Sequence, residues 1–288
     1  MPTVFGKIID LDSKRRTIDI IHRRKKKTCY FQRSQFNTFG SFLRPGHFVV
    51  LNVSNPKRKR DYKAYVVKDV KKIFQSLLGK RRVLFSTDKL KEEIRTFIDG
   101  LESKLFLDFE MSMHPYSVDK SFKQEIIQVG YILVDANDRV IREYETYIQP
   151  TRHKKLSKRT LKFLALDQAD VDKGVPFSAF YNHLKKLLID HDPAIIVWGK
   201  NDFLSLDEAY QINDLPSLAN ESRFVNLLQL HKNYFRYKDD VGLKTAFTMY
   251  GNTLETQRHD AYEDAWMTKK IFEGFKDWIH HHEGDPLR

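Results

Sequence analysis

FLDFEMSM, residues 106–113, is the stretch on which the reading of the whole chain turns. Its apolar residues describe a buried strand, yet Asp108 and Glu110 stand two apart within it. Side chains two apart on a strand share one face. Buried carboxylates are costly and repel one another unless something positive neutralises them. Two readings fit: a divalent cation held by oxygen ligands, or an edge strand whose wet face carries both acids.

Further acids recur where a metal site would need them. Asp202 follows the apolar run AIIVWGK, residues 194–200. In open α/β sheets, ligands gather just beyond the carboxyl ends of strands. Taken alone, Asp202 or Asn201 suits equally well a helix N-cap before FLSLDEAY. In RHDAYEDAWMTKKIF, residues 258–272, a helix is predicted to begin near Asp260, with Asp264 one turn inside it. Ala261, Ala265, Met267 and Ile271 supply small or apolar packing positions, and alanines let a helix approach a sheet closely. His259 stands just before that helix. Taken singly, such a histidine or helix acid is commonly a surface feature. Together, Asp108, Glu110, Asp202 and Asp264 form four anionic ligands on three elements, a set that suits two magnesium or manganese ions. Two such ions about 3.5–4 Å apart can activate water and stabilise a leaving oxygen in phosphodiester cleavage.

The surrounding sequence supplies the frame. From residue 105, strand-like runs (KLFLDFE, EIIQVGYILVD, REYETYIQP and AIIVWGK) alternate with helical stretches. In one of these, Phe177, Phe180, Tyr181, Leu184, Leu187 and Leu188 form an apolar stripe. This is an α/β layout around a mixed sheet. The first 75 residues differ. Five short strand-like runs (TVFGKIID, RTIDIIH, TCYFQR, HFVVLNV and AYVVKDV) are separated by charged or turn-forming pieces, with Lys57 to Arg60 expected on a loop. That pattern predicts a small all-β barrel of oligonucleotide-binding (OB) or cold-shock type. The expected organisation is a basic barrel over 1–75, a connector with a helix over 76–104, an α/β domain over 105–280 and a tail over 281–288.

Charge divides the chain in the same way. Of its 288 residues, the first 75 carry 19 Lys and Arg against 5 Asp and Glu, and the remainder 31 against 33. The whole excess of positive charge belongs to the barrel, which suits a polyanion. Phe5, Tyr30, Phe31, Phe36, Phe39, Phe42 and Phe48 interleave with those cations. Exposed rings beside cations stack bases and hold phosphates in single-strand binders, whereas rings in a small core simply fill it. About half are expected to be core. A hydrophobic share of 41% excludes a disordered tail, and no apolar run is long enough for a membrane span. Cys29 is the one cysteine. No secretory signal is visible at the N-terminus, and a reducing, cytoplasmic setting is expected.

Residues 105–280 resemble the DEDDh family of 3′–5′ exonucleases, which includes ribonuclease T, oligoribonuclease and the proofreading exonucleases. DFE matches its DxE motif, HDAYEDA its HxAxxDA motif, and WGKNDFLSL its second motif in the WGxxDxxxL form of KapD-like and Eri-type members. The resemblance implies a ribonuclease-H-like fold with a five-stranded mixed sheet. It implies that Asp108, Glu110, Asp202 and Asp264 ligate two magnesium or manganese ions, with Asp108 bridging. It assigns His259 as general base, a task suited to a group titrating near neutrality, and places Met111 and Ser112 against the terminal nucleotide.

The expected activity is metal-dependent 3′–5′ exonucleolysis of single-stranded nucleic acid, RNA ahead of DNA. The alternatives are a single-stranded DNA exonuclease and, in another class, a non-catalytic nucleic-acid-binding protein. The partners expected are single-stranded RNA or DNA and no membrane.

Overall fold

The structure, a computed structural model, describes residues 2–59, 62–77, 80–116, 122–254, 259–284 and 286. They form two compact units, Met1–Glu93 and Ile94–Arg288.

In the first unit the alternation of the sequence becomes a closed barrel. Its strands are β1 (Thr3–Asp12), β2 (Thr17–His22), β3 (Lys25–Tyr30), β4 (Phe48–Lys59) and β5 (Tyr62–Leu77), with helix α1 (Arg33–Phe39) between β3 and β4. Antiparallel pairings run in the order β3–β2–β1–β4–β5, and a parallel pairing of Cys29 with Tyr65 and Tyr30 with Val66 closes the ring. Closure leaves few free strand edges. Val4, Ile8, Ile18, Ile20, Val49, Leu51 and Ile73 alternate inward to form the core. This is the expected five-strand OB-like barrel.

Three details differ from the sequence expectation. Lys57 to Lys59 continue strand β4 rather than forming a loop, because they pair with Ala64, Lys63 and Tyr62; Arg60 lies outside the described residues. Residues 80–86, expected within a connector, form strand β6 (Lys80–Ser86) antiparallel to β5. Helix α1, formed between the strand-like runs TCYFQR and HFVVLNV where no helix is expected, carries the buried Phe39 into the barrel core. Phe31 also belongs to that core, whereas Phe5 and Phe42 are exposed. Burial pushes the Cys29 thiol up to about 12, as expected of a packed thiol. Helix α2 (Thr87–Asp99) follows, with Ile94 and Ile98 buried.

The second unit is an α/β domain. Its strands are β7 (Lys104–Met111), β8 (Ile126–Val134), β9 (Val140–Gln149), the two-residue β10 (Val175–Pro176), β11 (Ala194–Val197) and β12 (Phe224–Asn226). They are joined and flanked by α3 (Lys158–Leu164), α4 (Gln168–Asp172), α5 (Phe177–His191), α6 (Asn201–Ile212), α7 (Leu227–Phe235), α8 (Leu243–Met249) and α9 (Ala261–His281). The sheet order is β10–β9–β8–β7–β11–β12; β7 to β9 run antiparallel, and β7, β11 and β12 run parallel. This is the expected ribonuclease-H-like five-stranded mixed sheet, extended at one edge by β10.

Strand β7 is central, with β8 on one side and β11 on the other. Its even-odd alternation divides the two layers. Leu105, Leu107 and Phe109 pack with the α5 stripe, including Phe180 and Leu184, and with Leu206 of α6. Phe106, on the other face, meets Phe272 of α9 edge-on at 5.5 Å. Asp108 and Glu110 therefore face α9. Among the described residues, no helix is long and apolar enough to cross a membrane.

Candidate active site

Each acid reaches the site by a local cause visible in the sequence. Asp108 and Glu110 lie opposite Gly130 and Gln128 of β8. Gly130 has no side chain at the point where α9 begins; a Cβ there would stand 2.2 Å from the Tyr262 amide nitrogen. The glycine thus lets the helix N-terminus rest directly on the sheet. Gln128, fully buried, donates from its Nε2 to Asp260 Oδ2 at 2.8 Å and to Glu145 Oε1 at 3.0 Å. Asp260 in turn caps α9 by accepting the N–H groups of Tyr262 and Glu263, each at 3.0 Å. A capped, seated helix carries Asp264 to the carboxylates of β7.

Asp202 arrives from the other parallel strand. Gly199, at φ 116°, turns the chain after β11, a conformation that favours glycine. Asp202 lies in the first turn of α6 and is 7% exposed. It is not the helix cap, a position taken by Lys200. Its Oδ1 accepts the N–H of Phe109 at 3.2 Å, between the two β7 acids.

The ligand atoms of Glu110, His259 and Asp264 lie within 4.8 Å of one another. Asp108 and Asp202 lie outside this group, and Asp202 raises the proton affinity of both Asp108 and Glu110 through its charge. Burial and then neighbouring charge hold Asp108 well above the carboxylate range, with Asp202 the largest charge contribution. Glu110 is pushed up to about 8, Asp202 to about 7 and Asp264 to about 6, burial leading in each case. Mutual repulsion of this kind marks a site built around a cation. Asp264 Oδ1 is buried with no hydrogen-bond partner. Buried polar atoms are normally partnered, so an orphaned carboxylate oxygen beside three further acids fits a hard divalent cation.

His259 sits just ahead of the Asp260 cap and stacks on Phe163 of α3, with centroids 4.6 Å apart and planes at 21°. Burial, then the Lys244 charge, lowers its pKa, which keeps the ring neutral and able to accept a proton. Helix α3 is tied to the end of the acid-bearing strand. Thr160 Oγ1 accepts the Met113 N–H at 2.8 Å, and Ser157 Oγ donates to the Met113 carbonyl at 3.0 Å.

Of the two residues expected to touch substrate, Met111 ends β7 and is partly buried against the core. Ser112 is buried, and its hydroxyl accepts the Glu125 N–H at 2.8 Å. Sequence reasoning missed Phe163 and Lys244. Lys244 stabilises the ionised forms of both Glu110 and Asp264. Neither residue belongs to a motif, and only the packing of α3 and α8 brings them to the site.

Comparison with known proteins agrees with this geometry. Residues 105–272 match the ribonuclease-T exonuclease family model. The chain is 33% identical over 173 residues to the "Probable 3'-5' exonuclease KapD" of Bacillus subtilis, covering 59% of this chain and 82% of that protein. The nuclease domain of 3'hExo, a DEDDh family member bound to rAMP, is similar in fold. Its TM-score is 0.54 at 16% identity, over 63% of this chain and 93% of that one. Cell-death related nuclease 4 gives a TM-score of 0.51 at 17% identity, over 62% and 64%. The chain belongs to the ribonuclease-T family of exonucleases.

Proposed function

We propose that the protein is a metal-dependent 3′–5′ exonuclease acting on single-stranded nucleic acid, with RNA favoured over DNA. The observation that carries the reading is the gathering of Glu110, His259 and Asp264 within 4.8 Å around a buried, partnerless carboxylate oxygen. Asp108, Glu110, Asp202 and Asp264 would hold two magnesium or manganese ions. When bound, such ions supply an activated water and charge stabilisation for the leaving oxygen.

The chain's own residues do the rest. His259, neutral because of burial and the Lys244 charge, takes the proton of the attacking water. Phe163 holds its ring in place from α3. The segment after Glu110, including Met111 and Ser112, receives the terminal nucleotide, and the Ser112 hydroxyl also fixes that segment by accepting the Glu125 N–H. The basic barrel adds sequence-independent affinity through phosphate neutralisation.

The 3′–5′ direction is supported by the name of the Bacillus subtilis relative. RNA is supported by the WGxxDxxxL form of the second motif. The deciding test is a digest of 5′-labelled RNA and DNA of identical sequence, with magnesium, manganese or chelator. A metal-dependent ladder shortening from the 3′ end, faster on RNA, is expected. DNA cleaved faster would reverse the preference, and no cleavage of either would leave a binding protein.

A further inference from the structure

The barrel carries a patch of side chains that its core does not explain. Register places Ile21, Lys7, Phe48, Phe74 and Val83 in one transverse row across β2, β1, β4, β5 and β6. The adjacent row runs Phe5, Val50, Lys72 and Ser86. Their chain neighbours Val4, Ile8, Val49 and Ile73 point into the core, so these rows lie on the outside of the barrel.

Phe5, 49% exposed, lies nearly parallel to Phe48 and to Phe74, with centroids 6.0 and 6.3 Å away and planes within 16°. Phe48 and Phe74 are 5.2 Å apart at 8°. Three parallel rings whose centroids form a triangle are not a column; they are offset tiles. Arg81 already lies over Phe74, its guanidinium carbon 5.7 Å from the ring centroid. Ile21 and Val83 are exposed at the ends of the row. Lys7 and Arg81 are exposed, Lys72 is half-buried, and neither row contains an acid. Asp69, further along β5, is ion-paired to Lys71 at 3.4 Å.

OB-type barrels bind oligonucleotides on the face of their second and third strands. Here that face carries Asp19, bonded to Lys26 at 2.7 Å and to the Thr28 hydroxyl at 2.6 Å, which places a carboxylate where a phosphate strand would run. That strand pair also carries Lys25, Lys26 and Lys27, but the rings beside it, Tyr30 and Tyr65, already lie under Arg16 and Lys27. The parallel and partly open rings Phe5 and Phe48 are on β1 and β4 instead.

We infer that this outer face, centred on Phe5 and Phe48, is the platform on which the barrel binds single-stranded nucleic acid. Bases stack on Phe5 and Phe48, with the buried Phe74 backing them, and Lys7, Lys72 and Arg81 meet the backbone phosphates. The inference rests on the reading of the barrel as a nucleic-acid-binding unit, and it names the face.

The test uses the full chain in chelator, where cleavage does not intervene, and measures affinity for a long single strand at fixed salt. Phe5→Ala should weaken binding about 5- to 150-fold, the range that loss of one base–aromatic stack gives. Phe5→Trp should bind at least as well as the unmodified chain. Arg81→Glu, a change at an exposed position, should weaken binding and flatten its salt dependence. With metal restored, turnover of a dinucleotide-sized substrate should stay unchanged in all three. Unaltered strand affinity in Phe5→Ala would overturn the assignment of the face. So would unaltered affinity accompanied by loss of self-association, which would make the face a protein interface. If the unmodified chain does not bind long strands in chelator yet degrades them with metal, the nucleic-acid role of the barrel fails while the nuclease reading stands.

Discussion

Gly130 and Tyr262 are in backbone contact: the amide nitrogen of Tyr262 lies 2.2 Å from the point a Cβ on Gly130 would occupy. Gly130 is paired with Asp108, and Tyr262 stands two residues before Asp264. One absent side chain therefore sets the distance between the strand acids and the helix acid.

Gly130→Ala should consequently damage both fold and site. The neighbouring atoms are backbone and cannot swing aside, so overpacking of about 1–3 kcal/mol is expected. It should appear as a lowered Tm, together with a loss of turnover and of metal-induced stabilisation. An unchanged Tm and rate would mean that α9 does not sit on Gly130 as described.

The stack of Phe163 on His259 gives a graded pair of expectations. His259→Ala should slow turnover about 10²- to 10⁴-fold. Phe163→Ala should lower kcat by a smaller factor with little change in KM, and Phe163→Tyr should restore it. If Phe163→Ala instead raised KM alone, Phe163 would be a substrate contact and not a support for the histidine.

The raised acids make stability in the absence of metal depend on pH. Unfolded carboxyls titrate near 4, whereas Asp264, Asp202 and Glu110 in the fold titrate at about 6, 7 and 8. The folded state thus holds protons that the unfolded state releases, so the contribution of these acids to stability is full below about pH 4 and declines as pH rises towards 8. Thermal melts with chelator should show that decline, and Asp108→Asn should reduce it by removing a carboxyl that holds its proton in the fold and releases it on unfolding. Added magnesium or manganese should raise Tm most at the alkaline end, where protons no longer compete. A Tm in chelator that rose steadily from pH 5 to 8 would contradict the arrangement of the acids.

Much of this arrangement was legible in the sequence because it rests on period and spacing. Two residues on a strand share a face, so Asp108 and Glu110 declared themselves. Asp260 read as a cap and is one, which fixed Asp264 one turn inside. The Phe177–Leu188 stripe is buried along α5 as its spacing required. What escaped notice depends on tertiary contact. Helix α1 lies where strand-like and turn-forming residues mix, and β6 is specified by its pairing with β5. Phe163 and Lys244 are an exposed-looking aromatic and a lone helix cation until α3 and α8 are packed. Gly130 and Gln128 carry no signal of their own within the strand-like run EIIQVGYILVD, since their partner α9 lies some 130 residues further along the chain.

The central claim is that the acids on β7, α6 and α9 form one metal-dependent hydrolytic site. It is tested most directly by degrading a 5′-labelled single strand with the unmodified chain, Asp108→Ala and Asp264→Ala in magnesium or manganese, with folding checked by thermal melts in chelator. The account predicts metal-dependent shortening from the 3′ end by the unmodified chain and no detectable turnover by either variant. Both variants should melt in chelator no lower than the unmodified chain, because each removes a buried carboxyl whose ionisation the fold resists. Turnover like that of the unmodified chain in either folded variant would contradict it.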